Sequence, residues 1–278
     1  MKRTIRQAIG LVAVAVCAAL SLSACQTVQT TQAGAVGVDR TQSFMVSAAA
    51  VNSSAVKAYQ QVMADAQKKG QLNRDSAQLE RVRAIANRLI ANVNAFRSDA
   101  PGWKWEVNVI TSPEVNAWCM PGGKIAVYTG LIDRLRITDD ELAAVMGHEI
   151  AHALREHGRE RASQAAAQSL AIGVVGAVLG IGAAGQDISQ TILDVTFNLP
   201  NSRLHETEAD RVGVELAARS AFDPHAAITL WQKMGSLGGS RPPQFLSTHP
   251  SADTRQRDLK VYADRVAPLY EAARRGAR

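Results

Sequence analysis

Apolar side chains recur at three- and four-residue steps along much of this 278-residue chain, which is the spacing of one face of an α-helix. One such stripe covers residues 75–96, a weaker one covers residues 46–69, and another follows Thr138. We predict a helix at each place, and two more around Glu206 and over residues 223–234. The apolar positions of two stripes are Leu79, Val82, Ile85, Leu89, Ile90 and Val93, then Leu142, Val145, Met146, Ile150 and Ala153.

Strands are predicted in a short region between the helical stripes. Residues 105–110 alternate between apolar and polar side chains, which is typical of a strand with one buried face. Pro121, Gly122 and Gly123 form a turn, after which residues 124–129 return as a second strand. The predicted fold class is α+β and mainly helical, with a small β-sheet beside the helix that follows Thr138.

The most specific chemical pattern is His148-Glu149-Ile150-Ala151-His152 on that helix. Residues four apart lie one turn apart on the same face, so both imidazoles can bind one metal ion. Glu149, between them, is then free to act on a bound water. The same five-residue pattern can arise by chance on an ordinary buried helix, so the other ligands matter.

A zinc protease site needs a third ligand. One class of zinc proteases places Gly three residues and His six residues after the second histidine, but Arg155 and Gly158 occupy those positions. His157 lies about 140° around the helix from His152, off the metal-facing stripe, and is predicted to be solvated or to cap the helix. The better candidate is Glu206, with Asp210 four residues later as an acceptor for a ligand histidine's second N–H.

Four separated sequence words together resemble a known family. They are VNAWCMPGGKIAVYTGLI, HEIAH, SRLHETEAD and THPSADTR, in that order within residues 107–259. The chain resembles metallopeptidase family 48, which includes the CAAX prenyl proteases, the HtpX proteases and the mitochondrial Oma proteases, and especially its soluble bacterial lipoprotein branch. It lacks the spanning helices of the membrane members. The resemblance implies a zincin-like (gluzincin) fold, one Zn²⁺ per chain held by His148, His152 and Glu206, Asp210 as the acid behind the ligands, and Glu149 as general base.

The resemblance also assigns residues outside the two helices. It implies that Asn116 and Ala117 lie on the sheet edge that binds substrate, although Asn116 alone would be interpreted as a turn residue. It implies that His249 and Arg255 stabilise the oxyanion. Alternatively, His249 fills the open zinc position in a resting state.

The remaining histidines and the apolar segment have less specific interpretations. His205 is predicted to be solvated, and His225 is predicted to lie at a helix start. Residues 170–184 carry no charge and are too few to span a membrane comfortably. They are interpreted as a buried or interface hairpin, or alternatively as a mobile apolar flap that contacts membrane or client.

The N-terminus has the anatomy of a secretory signal, with basic residues before an apolar stretch and small residues before Cys25. This resembles the bacterial lipobox, in which the cysteine is lipidated; an ordinary signal peptide is the alternative. The predicted domains are a signal peptide at 1–24, a lipidated Cys25 with a flexible tether at 25–43, and a metallopeptidase domain at 44–278. By resemblance to bacterial lipoproteins, Gln26 favours the outer membrane.

Charge and cysteine content narrow the function further. Removal of Lys2, Arg3 and Arg6 with the signal lowers the net charge from +6 to +3, and no basic patch contains interleaved aromatic residues. Nucleic acid is therefore not a predicted partner. Cys119 would be the only unmodified cysteine of the mature chain, so no internal disulfide can form. We expect it to be a small buried hydrophobe, with a redox or metal role as the alternative.

The sequence therefore predicts a zinc endopeptidase, anchored by lipid at the periplasmic face of a bacterial outer membrane. Its expected substrates are unfolded, misfolded or misassembled envelope proteins, and an envelope assembly machinery is a possible partner. One alternative is a chaperone or assembly factor that binds clients in the same cleft. Another is a metal-stabilised structural lipoprotein, which predicts a closed set of ligands rather than an open site.

Overall fold

The computed structural model describes residues 26–178, 188–237, 243–249 and 254–276. The predicted signal peptide, Cys25 and part of the apolar segment, residues 179–184, lie outside the described residues. The helices are α1 (Ala48–Lys68), α2 (Ser76–Ile90), α3 (Thr129–Leu135), α4 (Asp139–Leu154), α5 (His157–Val178), α6 (Ile188–Leu193), α7 (Arg203–Arg219), α8 (Ala226–Ser236), α9 (Gln244–Thr248) and α10 (Arg255–Gly276). The strands are β1 (Gln26–Val28), β2 (Gln42–Phe44), β3 (Glu106–Ile110), β4 (Ala117–Met120) and β5 (Lys124–Tyr128).

The larger sheet has three strands in the order β3-β5-β4. β3 pairs with β5 in parallel, and β4 pairs with β5 in antiparallel register, with Ala117 opposite Val127. Gly122 and Gly123 both have positive φ in the turn that joins β4 to β5, a conformation that favours glycine. β4 is an edge strand of this sheet and packs against α4. The predicted α+β class, mainly helical with a small sheet beside the motif helix, is confirmed.

Helix α4 is the centre of the larger hydrophobic core. Thr138 caps it in a capping box, in which the hydroxyl accepts from the amide of Glu141 and the Glu141 carboxylate accepts from the amide of Thr138. Leu142, Met146 and Ile150 are fully buried. Burial of each such side chain stabilises the fold by roughly 1.5–3 kcal/mol, so the helix is held firmly in place.

Helix α7 packs against α4, and their closest approach is at two glycines. A Cβ added to Gly213 would lie 2.7 Å from the amide nitrogen of His148, and one added to Gly147 would lie 2.9 Å from the carbonyl oxygen of Gly213. The two backbones can approach this closely because neither residue has a side chain. α8 packs on α4 from one side, and α10 packs along α7.

The predicted flexible tether is wrong for its described residues. β1 and β2 pair in antiparallel register, with Gln26 opposite Phe44. Between them, Thr31, Val36 and Val38 are buried against the domain. The low apolar content of this segment suggested a linker, but its polar side chains find buried partners in Arg155 just after α4, Glu160 of α5 and Glu208 of α7. The boundary of the mature domain at 44 stays a prediction.

In the described part of the chain, we find no helix with both the length and the apolar character that a bilayer span requires.

Candidate metal centre

Two helices and one short segment bring four potential ligands together. His148 and His152 lie one turn apart on α4, Glu206 lies in the first turn of α7, and His249 follows α9. One nitrogen or oxygen of each residue lies within 4.8 Å of those of the others, and all four residues are buried.

The spacing of these atoms fits a single tetrahedral ion. The Nε2 atoms of His148 and His152 are 3.0 Å apart, and His249 Nδ1 lies 3.2 Å from His148 Nε2. The oxygens of Glu206 lie 3.4–3.5 Å from the two Nε2 atoms and 3.0 Å from His249 Nδ1. A tetrahedron with metal–ligand bonds of ~2.0–2.1 Å has edges of about 3.3 Å, and these five separations lie close to that length, so the donor set fits Zn²⁺.

Carboxylates and a guanidinium fix the ligands from behind. Asp210 Oδ1 lies 2.9 Å from His148 Nδ1, which leaves Nε2 of that ring free to face the other ligands. Arg255 donates to Asp210 Oδ1 at 2.6 Å, lies 3.0 Å from Glu206 Oε2, and stacks over the Trp231 ring. In this structure Arg255 therefore contacts the acids behind the site, and its predicted oxyanion contact stays a prediction.

Glu149 lies beside the ligands with its carboxylate buried. Oε1 has no hydrogen-bond donor among the described residues and lies 3.4 Å from His249 Nε2. Burial raises the pKa of the Glu149 carboxyl above its ordinary value. Such a carboxylate is a stronger base than a solvated one and is positioned to accept a proton at the site.

The electrostatics of the four residues favour a cation. Burial alone would lower the pKa of His148, but the Glu206 and Asp210 carboxylates outweigh it and raise the pKa to about 9. Burial alone would raise the pKa of the Glu206 carboxyl, but the positive charges of His249 and His148 outweigh this effect and hold the pKa well below its ordinary value. Two carboxylates that hold a proton on a buried imidazole would hold a divalent cation in its place.

His157 is buried at the metal centre, and the prediction that it is solvated is wrong. Its Nδ1 lies 2.8 Å from His152 Nδ1, and its Nε2 lies 3.0 Å from Glu208 Oε2. The helix argument failed because α4 ends before this residue. Glu156 adopts a positive φ of 50°, and the chain turns back so that His157, the first residue of α5, faces His152.

His205 is also buried, contrary to its predicted solvation. Its ring stacks on that of His157 with centroids 4.4 Å apart, and its Nε2 lies 3.2 Å from Glu160 Oε2. Sequence analysis missed this contact because His205 and Glu160 lie on different helices, 45 residues apart. His225, by contrast, lies at the N-terminus of α8 as predicted, half-exposed between Asp223 and Asp264.

A cleft reaches the metal centre between β4 and residues 194–201. Trp118 and Cys119 of β4 form one wall, beside Glu149 and His152. Arg161 holds the other wall, because it donates to the carbonyl oxygens of Val195 and Leu199 and to the side chain of Asn201. Sequence analysis missed this wall, which is a single π-helical turn, Asp194–Asn198, and the residues that follow it.

The predicted substrate residues lie at the start of the edge strand, next to the cleft lining. The Asn116 carbonyl accepts from Tyr128 N–H of β5, and its side-chain oxygen accepts from the Ala117 amide. Both residues are buried. Cys119 is buried too, as expected of a small hydrophobe, and burial raises the pKa of its thiol well above the ordinary value.

Comparison with known families shows one match. The profile of Peptidase family M48 matches residues 76–263, which is more than half of the chain. The matched range contains α4, α7 and all four potential ligands.

Several curated metalloendopeptidases and proteases match much of the chain. The mitochondrial metalloendopeptidase OMA1 of Arabidopsis thaliana is 38% identical over 61% of this chain and 34% of its own length. Its counterpart in Bos taurus is 34% identical over 72% of this chain and 39% of its own length. The Beta-barrel assembly-enhancing protease of Yersinia pestis is 30% identical over 67% of this chain and 39% of its own length. The chain thus spans well under two thirds of these relatives.

Proposed function

The chain belongs to peptidase family M48, and from this membership and the geometry of the metal centre we propose that it is a zinc-dependent endopeptidase of the bacterial envelope. The observation that carries the proposal is the convergence of His148, His152 and Glu206 beside the buried carboxylate of Glu149. A purely structural metal site does not require an unsatisfied acid at that position.

A zinc ion in this site supplies Lewis acidity to water and to a peptide carbonyl. His148, His152 and Glu206 would hold the ion, and Asp210 and Arg255 keep His148 and Glu206 oriented. Glu149 accepts the proton of the attacking water and then passes it to the leaving amine.

His249 has two roles open to it. Its Nδ1 lies 3.2 Å from His148 Nε2 and 3.0 Å from Glu206 Oε1, which supports a resting state in which His249 would be a fourth ligand. The residue follows a five-residue helix rather than a long one, so it can leave the ligand set at less cost than the residues of α4 and α7. Once released, the imidazole can stabilise the oxyanion near the same position.

Substrate is proposed to bind as an added strand along β4. The register turns the Ala117 carbonyl and the backbone groups of Cys119 toward the open edge of the sheet, because Asn116 already pairs with Tyr128. The Ala117 amide donates to the Asn116 side chain. Binding through backbone groups tolerates varied side chains, which suits a protease that acts on unfolded segments.

The proposed location is the periplasmic face of the outer membrane, with a lipid on Cys25. The small, lipobox-like residues before Cys25 support lipid attachment, and Gln26 after it supports the outer membrane. Cys25 itself lies outside the described residues. Misfolded or misassembled envelope proteins are the proposed substrates. The name of the Yersinia pestis relative, Beta-barrel assembly-enhancing protease, supports a connection with envelope assembly.

A second candidate is a chaperone that binds clients in the cleft with little turnover. The four-residue ligand set supports it, because a closed site leaves no position for water or substrate.

Glu149→Gln separates the two. The change keeps the size of the side chain and removes its basicity, so zinc content should stay at about one per chain while cleavage of an unfolded protein falls by at least about 10²–10⁴-fold. Zinc content, cleavage and rescue of envelope defects in cells lacking the gene are measured together. Full rescue by the zinc-loaded, inactive variant would make client binding the main role.

A further inference from the structure

The segment expected to be a tether lies along ligand helix α7 and contacts it at two places. We call residues 30–44 the strap. At one place the Val36 amide donates to Glu215 Oε2 at 3.0 Å. At the other, Arg40 Nε donates to Glu208 Oε1 at 2.6 Å. Glu208 lies two residues after the ligand Glu206, so the strap contacts α7 beside the metal centre.

Arg40 bridges two helices through two buried carboxylates. It donates to both oxygens of Glu208, at 2.6 and 3.1 Å, and to both oxygens of Glu160 on α5, at 2.7 and 2.9 Å. Gln42 of the strap donates to Glu160 Oε2 at 2.6 Å and to the Arg155 carbonyl oxygen at 2.7 Å. Planar double contacts of this kind fix orientation as well as charge.

A chain of hydrogen bonds leads from Glu208 to the metal ligand His152. A ligand imidazole that uses Nε2 keeps its proton on Nδ1, so His152 Nδ1–H donates to His157 Nδ1, 2.8 Å away. His157 must then carry its own proton on Nε2, and it donates to Glu208 Oε2 at 3.0 Å. Each step has one donor and one acceptor, and the chain ends on a carboxylate neutralised by Arg40.

We propose that Arg40 is a positioning residue for the metal centre, which orients ligand His152 through Glu208 and His157. The strap then helps to position a metal ligand and is not a flexible tether. Arg155 also donates to Glu208, at 3.1 and 3.2 Å, so Arg40 shares this task. The inference rests on the proposed zinc site but not on proteolysis.

The test measures zinc affinity by competition with a chelator, and the visible spectrum of the Co²⁺-substituted protein, which reports ligand geometry. Loss of an outer partner of a metal-binding histidine typically costs 10–100-fold in metal affinity. We expect His157→Ala to fall in this range and Arg40→Gln to lower affinity about tenfold with a changed spectrum. Arg40→Lys, which keeps the charge but cannot bridge both carboxylates, should resemble Arg40→Gln.

Arg81→Gln is the matched control. Arg81 has a similarly exposed side chain, 31% against 28% for Arg40, and also ties another element to α4, through Asp139 and the Ile137 carbonyl. It contacts the far end of that helix, so its loss should leave zinc affinity and the cobalt spectrum unchanged.

A double substitution tests whether Arg40 acts on His152 through His157. His157→Asn can keep a hydrogen bond to His152 Nδ1, because its amide lies near the position of His157 Nδ1, but it cuts the connection to Glu208. In that background Arg40→Gln should have no further effect on zinc affinity. An undiminished effect of Arg40→Gln in that background, or unchanged zinc affinity in both Arg40 variants, would overturn the inference. A wild-type protein that binds no zinc would instead contradict the proposed function.

Discussion

At the scale of single residues, the centre of this molecule is a set of buried imidazoles whose charges are fixed by carboxylates. Five of the six histidines are buried. His148 faces Asp210, His157 faces Glu208 and His205 faces Glu160. Each carboxylate in turn receives at least one guanidinium, from Arg255 or Arg40. These three buried carboxylates are tolerated because each is paired with a guanidinium and an imidazole.

This burial predicts how the metal-free protein responds to acid. Burial lowers the pKa of His157 from 6.5 to about 3, so protonation favours the unfolded chain throughout that interval. Hydrogen bonds from His157 and Arg40 outweigh burial and lower the pKa of Glu208 from 4.5 to about 2. The folded state binds fewer protons in both cases, so stability falls as pH falls from about 6.5 to 2.

The measurement is the urea midpoint of the chelator-treated protein as a function of pH. His157→Asn should flatten the fall between pH 6.5 and 3, while Glu208→Gln should flatten only its lower part, below about pH 4.5. A wild-type midpoint that stays constant between pH 6.5 and 3 would contradict the assignment of neutral, buried His157.

The sequence predicted contacts correctly where the pattern within a single helix revealed them. His148 and His152 are one helical turn apart, and Glu206 was found because Asp210 lies one turn beyond it. His157 was misplaced because one residue with positive φ, Glu156, reverses the chain after α4. Nothing local connects Arg40 with Glu208, which is 168 residues away, so that pair could not be predicted.

At the scale of elements, the geometry of the centre depends on how closely two helices approach. Glu206 reaches His148 and His152 because α4 and α7 touch backbone to backbone at Gly147 and Gly213. The sequence predicted both helices, and the capping box at Thr138 fixed the start of one. Their crossing point depends on the absence of a side chain, which a periodic apolar pattern does not reveal.

Gly213→Ala is therefore expected to separate the ligand helices. The added Cβ would lie 2.7 Å from the His148 amide nitrogen, and overpacking of this kind costs about 1–3 kcal/mol. Glu206 would also move away from the histidines, so zinc affinity should fall. The control is Gly235→Ala in α8, where nothing lies within 4 Å and the better helix propensity of alanine should stabilise the fold by up to about 1 kcal/mol. Equal unfolding free energies and zinc affinities in the two variants would refute this account of the crossing.

At the scale of the whole molecule, the packed strap limits the distance between domain and membrane. Thr31 is buried against the domain, six residues after Cys25. Six extended residues span at most about 20 Å, and Gln26 to Val28 are already paired with β2, so a lipid on Cys25 would hold the domain close to the bilayer. A free tether of the predicted length would allow a longer reach. The sequence suggested the longer reach because polar composition alone does not distinguish a linker from a strap with buried polar partners.

Lipid attachment at Cys25 would determine whether the protein is bound to the membrane. Cys25→Ser should abolish acylation and release the protein from the membrane, because the lipid on Cys25 is the proposed anchor. Metabolic labelling with a fatty acid and carbonate extraction of membranes measure the two effects. Zinc content should not change, since Cys25 is separate in sequence from every ligand. Cys119→Ser, which alters a buried thiol, is the matched control and should remain acylated and membrane-bound. A Cys25→Ser protein that is unacylated yet resists extraction would contradict the lipid anchor and make residues 170–184 the candidate for membrane attachment.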